Sequence, residues 1–107
     1  MWREYGGYEV SMYGQVKGKR GNIIKPYLKH NGYYAIDLYV DGKKEKHRLN
    51  RLVAKVWLPS PTQEGLECHH INANRLDNSA FNLQWVTKQE NIRQRDLNKR
   101  FALFKTT

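Results

Sequence analysis

The stretch Asn82-Leu83-Gln84-Trp85-Val86-Thr87-Lys88-Gln89-Glu90-Asn91 reads as a strand running straight into a helix. Asn82 to Val86 forms the strand. Thr87 and Glu90 then stand three positions apart as a capping box. The Thr87 hydroxyl accepts from a free backbone N–H of the first turn while Glu90 reaches back over it. A helix is therefore expected from Lys88 to about Lys99. Beyond it, Phe101-Ala102-Leu103-Phe104 is apolar and could dock on the first module, meet a second subunit or fray.

Upstream, Leu66 to Ile71 is strand-like. Asn72 to Ala80 is rich in Asn, Asp and Ser, whose side chains bond their own backbone and favour turns. The second part of the chain thus reads strand, long loop, strand, helix. It is separated from the first by Leu58-Pro59-Ser60-Pro61-Thr62, where the prolines stop a helix and stiffen the connection. Two modules are expected, residues 1–59 and residues 60–107.

The first module reads mostly as β. Tyr8 to Ser11, Gly14 to Gly18 and Ile23 to Leu28 are strand candidates, the last at an edge because of Pro26. From Tyr33 to Val40, the residues Tyr34, Ile36, Leu38 and Val40 alternate on one face, the period of a half-buried strand. Asp41-Gly42 is a hairpin signal, since glycine accepts positive φ. The return strand, Lys43 to Leu49, puts Lys44, Lys46 and Arg48 on one face. Leu49 to Trp57 then reads as a helix, with Leu49, Leu52, Val53 and Val56 on one stripe.

The chain has 107 residues, with 19 Lys plus Arg against 10 Asp plus Glu, a net charge of +9. Residues 1–59 carry 12 basic and 5 acidic residues, and residues 60–107 carry 7 and 5, so the excess is concentrated in the first module. The basic residues lie on strand-like and turn-like segments between tyrosines, whereas binding to a membrane surface would call for a basic amphipathic helix. Nucleic acid is the expected partner. Three Trp, seven Tyr and three Phe supply a core that a disordered basic tail would lack. The single Cys68 excludes an internal disulfide framework or a multi-cysteine zinc site. No apolar run approaches the roughly 20 residues of a membrane span. The first residues lack a secretory h-region, so an intracellular location is expected.

Chemistry concentrates in the second module. His69 and His70 are adjacent, Asn82 follows twelve residues after His70, and Asn91 lies nine residues further on. In a strand, neighbouring side chains point to opposite faces, so the two imidazoles would take separate tasks only where the strand ends and twists. Asn82 is placed to close the intervening loop by bonding its backbone. Asn91, in the first turn of the capped helix, could be brought beside the histidines. Taken singly, each of these residues is an ordinary core, turn or helix residue.

Together, Cys68-His69-His70-Ile71-Asn72-Ala73-Asn74, Asn82-Leu83-Gln84-Trp85-Val86-Thr87 and Glu90-Asn91 resemble the HNH endonuclease motif, in its phage- and intron-type homing branch. Tyr8-Glu9-Val10-Ser11 with Gly14-Gln15-Val16 resembles a short motif that often precedes HNH domains. Arg51-Leu52-Val53-Ala54 with Trp57-Leu58-Pro59 looks like the helix joining the two parts, so the resemblance covers about residues 5–95. It implies an α+β protein: a small antiparallel β-sheet plus helix, followed by a ββα-metal (HNH) finger.

By position, the resemblance makes His70 the general base and Asn82 the structural asparagine that orients the loop. His69 and Asn91 become the metal ligands. Position 69 is commonly Asp in this branch, and its replacement by imidazole removes a negative charge. One divalent ion is expected, Mg²⁺ or Mn²⁺, with Ni²⁺ and Zn²⁺ as further candidates because imidazole suits them better than a carboxylate does. Lys44, Lys46, Arg48 and Arg51 are expected to grip DNA phosphates, with Arg93 and Arg95 near Asn91 holding the phosphate that flanks the cut. Lys17, Lys19, Arg20 and Lys25 could add contacts. The implied function is metal-dependent cleavage or nicking of double-stranded DNA, as a homing or phage DNA-processing enzyme. The alternative is a non-catalytic DNA-binding protein that keeps the fold. The implied partner is double-stranded DNA, with no membrane; a homodimer would supply two cutting sites.

Overall fold

Asp41 and Gly42 both adopt positive φ, 51° and 76°, the backbone twist that a two-residue hairpin demands. In the computed structural model, which describes residues 1–60 and 64–90, this turn joins β6 (Tyr34–Val40) to β7 (Lys43–Arg48). The two strands pair from Ala35–Arg48 to Val40–Lys43. A short strand, β5 (Tyr27–Leu28), pairs with the other edge of β6 to complete a three-stranded antiparallel sheet. A separate four-stranded antiparallel sheet runs in sequence order through β1 (Trp2–Tyr5), β2 (Tyr8–Ser11), β3 (Val16–Lys17) and β4 (Ile23–Ile24). The third sheet is the pair β8 (Glu67–His70) and β9 (Leu83–Val86).

Two details depart from expectation in the first half. The segment from Ile23 to Leu28 is not one strand: it splits at Lys25-Pro26, leaving the first sheet and joining the second. Pro26 has no N–H to donate to a ladder, so the chain changes sheets there. Trp2–Tyr5, which carries no alternation, is a strand because the Gly6-Gly7 turn folds it back on Tyr8–Ser11. In the second half, Asn82 ends a 3₁₀ turn (Ala80–Asn82) and the strand starts at Leu83.

α1 (Leu49–Trp57) occupies the residues that its apolar stripe predicts. Leu49, Leu52, Val53 and Ala54 are buried, Lys55 sits in the last turn where a cation suits the helix dipole, and Pro59 follows the end. The Leu58 N–H closes the helix on the Ala54 carbonyl. α1 packs against β1, β2, β6 and β7 on one side of the sequence and against β8, β9 and the 3₁₀ turn on the other. One apolar cluster therefore runs across Pro59: Val10, Val16, Ile36, Leu38, Leu52 and Val53 are continuous with Cys68, Ala80 and Leu83. Truncating Leu52, which has no exposed surface, to alanine would cost about 2–5 kcal/mol. Among the described residues, no helix is long and apolar enough to cross a membrane.

Candidate active site

β8 ends at His70, and the chain does not return to the ladder until Leu83, its partner across the pair. The intervening loop is held by its own side chains. The Asn72, Asn74 and Asp77 carboxamide or carboxylate oxygens accept from the N–H two residues on, at Asn74, Leu76 and Ser79. Such local bonds are why Asn and Asp favour turns. Asn82 closes the loop. Its Nδ2 donates to Asn72 Oδ1 and to the Asp77 carbonyl, both at 2.9 Å, and its Oδ1 accepts from the Asn72 N–H at 3.1 Å. Its backbone carbonyl accepts from the Ile71 N–H at 2.8 Å. With Asn82 only 6% exposed, these bonds satisfy a buried amide and fix the chain that follows His70.

His70 is 5% exposed, and its Nε2 lies 2.8 Å from Asn78 Oδ1. The Asn78 Nδ2 faces the Leu76 carbonyl, so the oxygen is the atom turned to the ring. An amide oxygen only accepts, which places the proton of the neutral imidazole on Nε2 and leaves the lone pair on Nδ1. Burial pushes the His70 pKa below the usual histidine value, since a charged ring would lose hydration there. The Asn78 bond opposes this shift, and the charges of His69 and Arg75 reinforce it. The ring is thus neutral near pH 7. His69, one residue earlier, is also buried and pairs across the ladder with Gln84.

The first half of the chain buttresses this loop. The Asn50 Nδ2 donates to the Cys68 carbonyl at 3.2 Å, and the Cys68 thiol points back to the Asn50 carbonyl at 3.5 Å. Burial drives the Cys68 pKa up to about 12, so the thiol is a packing group. The Ala80 N–H donates to the Met12 carbonyl at 2.7 Å. Gly14, with φ +86°, lies so close to the backbone of Asn78 that a Cβ there would stand 2.8 Å from the Asn78 carbonyl oxygen.

Lys44, Lys46 and Arg48 all project from the exposed face of β7. Lys44 is 3.5 Å from the Asp37 carboxylate. The Tyr27 hydroxyl, foremost, and Lys44 hold the Asp37 pKa below its ordinary value. Arg48 lies over the Tyr33 ring, 4.8 Å from its centroid. Arg51 stands apart from these three: it lines a cavity with His47, Lys55 and Trp85, and His47 alternates to the opposite face of β7. Asn91, Arg93 and Arg95 lie outside the described residues, as do the helix expected to about Lys99 and the apolar segment from Phe101 to Phe104. The start of that helix is described: the Glu90 N–H donates to Thr87 Oγ1 at 3.1 Å, and the Thr87 hydroxyl donates to the Glu90 carboxylate at 2.9 Å.

Among the described residues, no three His, Cys, Asp or Glu side chains gather closely enough to hold a metal by themselves. His69 is the described member of the expected ligand pair. An imidazole donor suits Ni²⁺ or Zn²⁺ better than Mg²⁺, and an ion held by so few protein donors would keep most of its shell as water and substrate oxygen. Two residues of the neighbourhood escaped the reading of the sequence. Asn78 is one of three asparagines between His70 and Asn82, with nothing in composition to mark it. Arg75 is the sole Lys or Arg between Lys55 and Lys88, a signal that was there to be read.

Residues 59–93 match the sequence model of the family described as HNH endonuclease. The DNA endonuclease I-HmuI of Bacillus phage SP01 is 34% identical over 96 residues, which cover 85% of this chain and 55% of that protein. The H-N-H endonuclease F-TflII of Escherichia phage T5 is 36% identical over 89 residues, 81% of this chain and 46% of that one. A solved structure concerning DNA binding and cleavage by the HNH homing endonuclease I-HmuI superposes with a TM-score of 0.82 at 31% identity, over 92% of this chain and 59% of that chain. The chain spans about half the length of these relatives.

Proposed function

We propose, from the match of residues 59–93 to the HNH endonuclease model and the likeness to phage HNH endonucleases, that the chain hydrolyses phosphodiester bonds of double-stranded DNA with His70 as the general base. The observation that carries this reading is the Nε2 contact to Asn78, which leaves Nδ1 of a neutral, buried imidazole as the proton acceptor. Water attacks phosphorus as Nδ1 takes its proton, the phosphorus–oxygen bond to the 3′ oxygen breaks, and the leaving oxygen takes a proton from solvent. The products are a 3′-hydroxyl and a 5′-phosphate. A positioned base of this kind contributes about 10²–10⁴-fold. Asn82 keeps the loop shut so that the ring and its Asn78 partner stay in register.

We assign His69 and Asn91 to one divalent ion, Mg²⁺ or Mn²⁺ in the first instance. When bound, that ion supplies a Lewis acid for the phosphate and the leaving oxygen. The exposed face of β7, with Lys44, Lys46 and Arg48, is the surface we assign to the DNA backbone, where such contacts give affinity without sequence information. The module of residues 1–59 then holds the duplex, and residues 60–107 cut it. One site per chain makes one nick; a double-strand break requires a second copy or a second visit. Homing or phage DNA processing is the setting in which we place the activity.

The deciding experiment is plasmid relaxation by the full chain in Mg²⁺ or Mn²⁺, with and without chelator, beside His70→Ala. Chelator-sensitive nicking that His70→Ala abolishes supports the enzyme. Duplex binding by the wild type without cutting in any divalent metal supports the alternative, a DNA-binding protein that has lost its chemistry at position 69.

A further inference from the structure

Tyr33 precedes β6, Arg48 ends β7 and Arg75 sits on the loop after His70, yet the three side chains meet at one place. Both guanidinium carbons lie over the Tyr33 ring, each 4.8 Å from its centroid. The same ring stands 6.0 Å from the His70 imidazole, centroid to centroid. Among the described residues, neither arginine is ion-paired with a carboxylate, and both are exposed. Two cations gathered on one ring concentrate positive potential beside the general base, and the Asp77 carboxylate of the same loop, whose charge also reaches His70, is paired with neither of them.

Stacking uses the flat face of a guanidinium and leaves its in-plane N–H donors free for a second partner. One of those donors, on Arg75 Nη1, goes to the Asn31 carbonyl at 3.0 Å and anchors the side chain. Gly32 leaves it room: a Cβ there would stand 3.3 Å from Arg75 Nη1. The remaining donors form planar forks of the kind that match two oxygens of a phosphate. A nucleic acid strand rises about 3.4 Å per nucleotide, so a site one ring away from His70 is one or two nucleotides from the cut.

We propose that Arg48 and Arg75, stacked on Tyr33, form a phosphate clamp that grips the strand to be cut one or two nucleotides from the scissile bond. The clamp rests on the endonuclease reading above. It gives Arg48 a task distinct from that of Lys44, which is engaged with Asp37. It also makes Arg75, from the nuclease half, the partner of a residue from the basic half, so the duplex is held by both at once.

The test is duplex-DNA binding by the full chain in chelator, where nothing is cut, over a range of salt. Removing one phosphate-binding cation should lower the slope of log K against log salt by about 0.9. Arg75→Ala should therefore flatten the slope by about that amount, and Arg48→Ala with Arg75→Ala by about twice as much. Tyr33→Leu, which removes the ring but neither charge, should also flatten the slope, whereas Tyr33→Phe should keep it. In Mg²⁺, single-turnover cutting should fall about tenfold in Arg75→Ala, and Arg75→Lys should not restore it because an ammonium lacks the planar fork. Circular dichroism melts check folding; if Arg75→Ala does not fold, Arg75→Lys and the Tyr33 pair decide. If the wild type binds and cuts while Arg75→Ala, the double variant and Tyr33→Leu keep its salt slope, the clamp is wrong and the nuclease stands. If the wild type neither binds nor cuts duplex DNA, both are wrong.

Discussion

Nε2 of His70 lies 2.8 Å from the side-chain oxygen of Asn78, eight residues along the same loop, and that contact decides which ring nitrogen can take a proton. Removing it would leave a buried N–H without a partner and a ring free to turn. Asn78→Ala should lower the cutting rate about 10- to 100-fold, within the range a positioned base supplies, with duplex affinity in chelator unchanged. Asn78→Asp keeps an acceptor and should retain more activity than the alanine variant. Single-turnover kinetics beside a binding isotherm separate the two effects; an Asn78→Ala enzyme at full rate would remove Asn78 from the site.

His70 should make stability depend on pH. Its folded pKa is lowered by burial, so the unfolded chain binds the proton more readily. The stability it contributes is complete above the unfolded pKa of about 6.5 and is lost as pH falls through the lower folded value. Asp37 and Glu45, whose pKa values are also lowered, act only below about pH 4. In chelator, the urea midpoint of the wild type should drop as pH falls below about 6.5, and that of His70→Gln should drop less. Parallel curves would show that another group titrates.

Asn82→Ala should destabilise the fold by about 1–3 kcal/mol, because it removes the side-chain partner of the Asp77 carbonyl and of the Asn72 N–H. Urea unfolding measures the loss. Cutting should fall further than the fraction unfolded explains, since the loop that carries Asn78 opens.

Gly14→Ala tests whether the first half of the chain holds the loop. Its φ of +86° costs an alanine about 1–2 kcal/mol, and the added carbon would meet the Asn78 carbonyl oxygen at 2.8 Å. Both stability and cutting should fall, although Gly14 is 56 residues from His70. A change at Gly42, where a Cβ meets nothing within 4 Å, should cost stability and leave the cutting rate of the folded fraction alone.

Cys68 should resist alkylation. Its thiol is buried and its pKa is raised to about 12, so little thiolate exists at about pH 8. Iodoacetamide should label it only after unfolding, which mass spectrometry reads directly. Rapid native labelling would mean that β8 leaves α1 far more often than the packing implies.

The elements legible in the sequence are those whose cause is local. The stripe of Leu49, Leu52, Val53 and Val56 names the helix, Asp41-Gly42 names the hairpin, and Thr87 with Glu90 names the helix start. Trp2–Tyr5 was illegible because only its pairing with Tyr8–Ser11 makes it a strand. The break at Pro26 was half legible: proline forbids a ladder bond, but nothing local says that the chain then joins a different sheet. At the site, the histidine pair and Asn82 stand out by spacing and by resemblance. Asn78 and Arg75 do not, because their partners are fixed only when the loop closes and brings it against Tyr33 and Asn31.

The apolar cluster that crosses Pro59 has a further consequence for how such a chain can be inherited or borrowed. Severed at that proline, the histidine hairpin would leave α1 behind and bare Cys68, Ala80 and Leu83 to water, and the donor half would be left equally raw. Grafting the blade alone onto another DNA-binding scaffold should give an insoluble product, whereas a transplant that takes the helix along should stay folded. Recombination would pass the two halves on as one heirloom.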